Sequence, residues 1–86
     1  MLQFILVDDE KIMRDKERQL LNEVLFSANV EYDILEYSHL TDELKMVINN
    51  SNPKVYIMDI DLKSKVSGID IGKYIRNYDW DSEIIY

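Results

Sequence analysis

At 86 residues, 47 % of them apolar, the chain has room for one small domain with a modest core and not for a second. Its 17 acidic residues outnumber 10 basic ones to give a net charge of −7, and no Lys/Arg cluster stands out, which argues against direct binding of nucleic acid or an anionic membrane by this segment. The lack of cysteine excludes a disulfide framework and a thiolate metal site, and it fits a reducing, cytoplasmic setting.

Leu2 to Val7, "LQFILV", is a nearly continuous apolar run of the kind found in a strand covered on both faces. Met1 precedes it with no basic leader, and no apolar run approaches membrane-spanning length, so neither a secretion signal nor a membrane span is expected. The run stops at Asp8-Asp9-Glu10, acids placed where they can cap a following helix. That helix is predicted from Lys11 to about Ala28, with Met13, Leu20, Leu21, Val24 and Leu25 largely along one face.

"YDILEY", Tyr32 to Tyr37, reads as a second strand. Ser38 or Thr41 can cap the next helix, whose Leu40, Leu44, Val47 and Ile48 follow the i, i+4, i+7, i+8 pattern. The turn formers "NNSNP" end it, and "VYIMDI", Val55 to Ile60, reads as a third, buried strand with one carboxylate, Asp59, at its fifth position. A polar loop, "DLKSKVSG", leads through Gly68 into a helix from Ile69 to Tyr78, with Ile71, Tyr74, Ile75 and Tyr78 on one face. Gly68 itself reads as a turn or helix entry with positive φ. Glu83 to Tyr86 begins a fourth strand.

The order β-α-β-α-β-α-β predicts an α/β fold, a doubly wound parallel sheet with right-handed crossovers. Ligands bind such sheets beyond the carboxyl ends of the strands, where Asp8, Asp9 and Asp59 all lie. If the first and third strands are neighbours, the three carboxylates share one pocket, where each close pair repels by about 3 kcal/mol at an effective dielectric near 20. Such a cluster either takes up protons or recruits a hard divalent cation, Mg²⁺ or Mn²⁺. Asp59 is best placed as a nucleophile that accepts a phosphoryl group.

"FILVDDE", "VYIMDIDL" and Gly68 together resemble the receiver domain of a two-component response regulator. The resemblance implies a flavodoxin-like fold with strand order 2-1-3-4-5. It implies Asp59 as phosphoacceptor and Mg²⁺ (or Mn²⁺) held by Asp8, Asp9, Asp59 and the backbone carbonyl of Asp61, Asp8 acting through water. A sensor histidine kinase is the expected donor, and an output domain of the parent protein is the expected effector. "DIDLKSKVSGIDIGKYIR" and "SEIIY" are most similar to receivers of LytTR-type transcription regulators, implying a DNA-binding output. On this reading residues 1–86 are a receiver incomplete at its C-terminus, ending in the fourth strand, with a Ser/Thr and a Lys of the family's switch lying beyond Tyr86. It is a phosphoacceptor rather than an enzyme, at most slowly self-phosphorylating and self-dephosphorylating. An exposed strand edge could then pair two copies. Two departures from the family are evident: Lys63 stands where receivers often have proline, and the loop from Asp59 to Gly68 is one residue longer than the commonest form.

Two further readings remain open at this point. "DID" also resembles the nucleophile motif of haloacid-dehalogenase-type phosphatases, with Asp59 as nucleophile and Asp61 as general acid/base, and a pseudo-receiver would act by binding alone. His39, the sole histidine, reads as a surface residue, while Trp80 and the tyrosines read as packing on the sheet or lining a partner surface.

Overall fold

The computed structural model describes residues 1–63 and 66–86; Ser64 and Lys65 of the predicted polar loop, and with them the question of its extra residue, lie outside the described residues. The elements alternate along the chain: β1 (Leu2–Val7), α1 (Lys11–Leu25), β2 (Tyr32–Tyr37), α2 (Asp42–Ile48), β3 (Lys54–Met58), α3 (Gly68–Tyr78) and β4 (Glu83–Ile85). All strand pairs are parallel, in the order β2-β1-β3-β4. The neighbourhood of β1 and β3, on which the acidic pocket depends, is therefore present. Among the described residues no helix is long and apolar enough to cross a membrane.

Strand pleating sends alternate side chains to opposite faces. On one face Ile5, Val7, Tyr56 and Met58 pack with Leu44 and Ile48 of α2 and Ile71 and Ile75 of α3. On the other, Phe4, Leu6 and Ile34 pack with Val55 and Ile57 of β3 and Leu21 and Leu25 of α1. The predicted faces of α2 and α3 hold, except that Tyr78 is exposed and stacks on Tyr74 with ring centroids 4.7 Å apart. Thr41, not Ser38, caps α2, its Oγ1 accepting from Leu44 N at 3.0 Å. α3 carries a capping box, in which Ser67 and Asp70 satisfy each other's backbone amides.

Four expectations need correction. α1 ends at Leu25 rather than near Ala28; the chain continues in turns to Asn29, whose φ of 53° is a left-handed conformation that asparagine tolerates. The apolar face predicted for α1 is only partly inward: Leu21 and Leu25 pack, while Met13, Leu20 and Val24 are exposed. β3 spans Lys54–Met58, so Asp59 is the first residue past the strand and not a member of it. Of the two readings of Trp80, packing on the sheet is the one that fails, since the residue is 77 % exposed.

Lys54 is buried at the start of β3, where its ammonium donates to the carbonyls of Asn50 (2.8 Å) and Asn52 (2.6 Å) and so ties down the turn before the strand. Tyr56, fully buried, donates to Asp79 Oδ2 at 2.7 Å, and Ser82 bonds the same carboxylate, joining β3 to the end of α3. Both bonds anchor the end of the sheet opposite the acids.

Candidate metal centre

Each ladder runs one bond beyond its strands, and these two bonds place the acids. Asp59 N donates to Val7 O at 2.8 Å and Asp8 N to Tyr37 O at 3.1 Å, so both backbones are pinned to the central strand pairs. The pleat then decides direction. Phe4 and Leu6 face α1, so Asp8 continues that set; Val55 and Ile57 do the same on β3, so Asp59 follows them. Carboxylate oxygens of Asp8, Asp9 and Asp59 lie within 4.8 Å of one another, with Asp8 buried and the other two half-buried.

Backbone amides hold each carboxylate. Glu10 N donates to Asp8 Oδ1 at 2.9 Å, Lys63 N to Asp9 Oδ2 at 3.1 Å, and Asp61 N to Asp59 Oδ1 at 3.1 Å. The expectation that the acids cap α1 is thus corrected: Glu10 is the N-cap residue, its side chain makes no cap, and the first turn holds no acid. Lys63 gives Asp9 a backbone N–H that a proline at this position would lack. Asp61 presents its amide to Asp59; its own side chain is exposed and stands outside the three-acid group. His39 is exposed, its Nδ1 2.8 Å from Ser38 Oγ, and takes no part.

Gly68 opens α3 with an ordinary negative φ, not the left-handed one expected of it. Its requirement is closeness: a Cβ there would collide with the carbonyl oxygen of Asp59 and stand 2.8 Å from both Asp59 C and Ile60 Cα. Gly68 N also donates to Ile60 O at 3.1 Å. The start of α3 therefore presses on the backbone that carries the central acid.

The inward face of α1 supplies a polar wall that the sequence reading missed. Arg14 Nη1 donates to Asp8 O at 2.6 Å, and its Nε lies 3.4 Å from Glu36 Oε1, an ion pair without hydrogen-bond geometry. Arg18 binds Glu36 Oε2 at 2.7 Å and Ile34 O at 3.1 Å. Between them in sequence, Glu17 has a buried Oε2 with no hydrogen-bond partner among the described residues. Burial, with Asp8, Asp59 and Glu36 nearby, holds the Glu17 carboxyl above the usual carboxylate range. One signal was available: Arg14, Glu17 and Arg18 stand one and two turns before Leu21 and Leu25 on the same face, and Leu21 and Leu25 are the leucines that pack.

Three oxygen-donor carboxylates at this spacing repel by about 3 kcal/mol per pair at an effective dielectric near 20, and a hard divalent cation relieves that cost. Six-coordinate Mg²⁺ takes all its ligands as oxygen, so the donor set fits the ion. Two concavities lie away from the acids, one along α1 around Asn22 and Phe26 and one at the opposite end of the sheet around Asn50, Lys54 and Asp79. Neither contains an acid of the group. Comparison with protein-family models, curated proteins and solved structures found no match.

Proposed function

We propose that the chain is the phosphoacceptor receiver of a two-component response regulator, with a flavodoxin-like sheet and Asp59 as the acceptor. The observation that carries this reading is the convergence of Asp8, Asp9 and Asp59 at the carboxyl ends of the adjacent parallel strands β1 and β3. Support also comes from the order β2-β1-β3-β4, which is compatible with the first four positions of the flavodoxin-like 2-1-3-4-5 sheet.

Asp9, Asp59 and the backbone carbonyl of Asp61 would hold Mg²⁺ (or Mn²⁺), with Asp8 acting through water. The bound cation would offset negative charge that otherwise repels a phosphoryl group. Asp59 then acts as nucleophile: a carboxylate oxygen forms a bond to phosphorus while the bond from phosphorus to the donor breaks, leaving an aspartyl phosphate and the departing donor group. Asp61 N, bonded to Asp59 Oδ1, fixes that carboxylate and leaves its other oxygen as the attacking atom. In the cell the donor is a sensor histidine kinase, and the new charge biases a two-state equilibrium read by an output domain of the parent protein, of the DNA-binding LytTR type, in the cytoplasm.

Incubation with a small acyl phosphate and MgCl₂, followed by mass spectrometry, tests the assignment. One base-labile phosphoryl adduct that requires Mg²⁺ and is lost in Asp59→Asn is the expected result. Undiminished labelling of Asp59→Asn would remove Asp59 from the role.

A further inference from the structure

We propose, on the reading of Asp8, Asp9 and Asp59 as a cation site, that Glu17 is a positioning residue of that site: its buried Oε2 accepts a hydrogen bond from a water carried by the cation.

Three observations converge on this carboxylate. Asp8 and Asp59 continue the strand positions that face α1, and Glu17 lies on the side of α1 turned to the sheet, so the helix presents it to the same face. Its Oε2 is buried and has no hydrogen-bond partner among the described residues, whereas buried acceptors in folded proteins are almost always satisfied. Neither neighbouring arginine satisfies it: Arg14 Nη1 donates to Asp8 O, Arg14 Nε lies 3.4 Å from Glu36 Oε1 and makes no hydrogen bond of its own, and Arg18 binds Glu36 and Ile34 O.

Coordination chemistry supplies the missing donor. Asp8, Asp9, Asp59 and one carbonyl cannot fill six positions if each gives one oxygen, and Mg²⁺ keeps waters in those left over. Such waters are strong donors and need acceptors fixed in place, the role that outer carboxylates play around metal centres. Glu17 is the acceptor already built into the wall, three residues from Arg14, whose Nη1 binds Asp8 O.

Calorimetric titration of the metal-free protein with MgCl₂ tests this, using wild type, Asp9→Asn, Glu17→Gln, Glu17→Leu and, as a control, Glu23→Gln, an exposed carboxylate on the same helix. Glu17→Leu should weaken binding about 10-fold or more, Glu17→Gln less because it keeps an acceptor oxygen, and Glu23→Gln should leave it unchanged. Metal-free melting temperatures should move the other way, with both Glu17 variants at or above wild type because an unpaired buried carboxylate has gone. Wild-type affinity in Glu17→Leu, an equal loss in Glu23→Gln, or a parallel fall in affinity and melting temperature overturns the assignment to Glu17 alone. A wild type that binds no Mg²⁺, or an Asp9→Asn variant that binds normally, overturns the cation site and the role of Glu17 with it.

Discussion

Replacing Gly68 by alanine adds one carbon at the point where α3 meets the acid-bearing loop. That carbon's three nearest neighbours are all backbone, with Asp59 C and Ile60 Cα at 2.8 Å and the Asp59 carbonyl oxygen closer still. Ordinary contact begins at 3.4 Å, so these atoms must retreat by more than half an ångström, and backbone held by the Asp59 N to Val7 O bond cannot swing aside as a side chain would. Overpacking of this kind costs about 1–3 kcal/mol, while alanine in place of glycine in a helix returns at most about 1 kcal/mol. A net loss of about 1–2 kcal/mol in urea unfolding is expected. The larger effect should be functional, because a catalytic group displaced by about 1 Å loses up to roughly 100-fold in rate. Phosphorylation of Gly68→Ala by a small acyl phosphate should therefore slow by about 10-fold or more at saturating Mg²⁺. Gly68→Asn separates the two explanations of the glycine: asparagine tolerates positive φ, so it would be the milder variant if conformation were the reason, and it should be at least as harmful as alanine if space is. Wild-type labelling and stability in Gly68→Ala would refute the contact argument.

The raised carboxyl of Glu17 carries a sign for the pH dependence of stability. Its folded-state value lies above the unfolded 4.5, so its favourable contribution is full below pH 4.5 and is lost as pH rises through the folded value. The stability of metal-free Glu17→Gln relative to wild type should grow with pH above 4.5, and a gap independent of pH in urea titrations would disprove the shift. Tyr56→Phe removes a 2.7 Å bond from a buried hydroxyl to Asp79 and should cost about 1–3 kcal/mol in chemical unfolding, while Mg²⁺ affinity at the far end of the sheet stays within twofold. Ser67→Ala breaks the capping box of α3 and should cost about 1 kcal/mol, readable as a shift in the urea midpoint at unchanged slope.

The alternating order of elements was legible because each carries a local signature: continuous apolar runs for β1 and β3, the i, i+4, i+7, i+8 stripe of α2, and turn formers between them. The acids at the strand ends were legible for the same reason, since a parallel strand buried on both faces leaves its first polar residue at the rim. α1 was misread because its strongest apolar candidates, Leu20 and Val24, are 60 % and 64 % exposed, and its docked face is built from Arg14, Glu17, Arg18, Leu21 and Leu25. Local periodicity cannot reveal that charged groups will be satisfied by Asp8 O, Ile34 O and Glu36, which come from other strands.

By itself, then, the sequence determined the list of elements and the presence of an aspartate just after each of two apolar strands, because hydrophobic runs, caps and turns are matters of neighbouring residues. Tertiary structure decided that β1 and β3 are adjacent and in a register that pairs Val7 with Met58, which brings Asp8, Asp9 and Asp59 within 4.8 Å. It also decided that Gly68 is needed for contact rather than conformation, and that Glu17 Oε2 is buried with no hydrogen-bond partner among the described residues. Those facts depend on distances between segments far apart in the chain, and such distances are set by how the helices dock on the sheet.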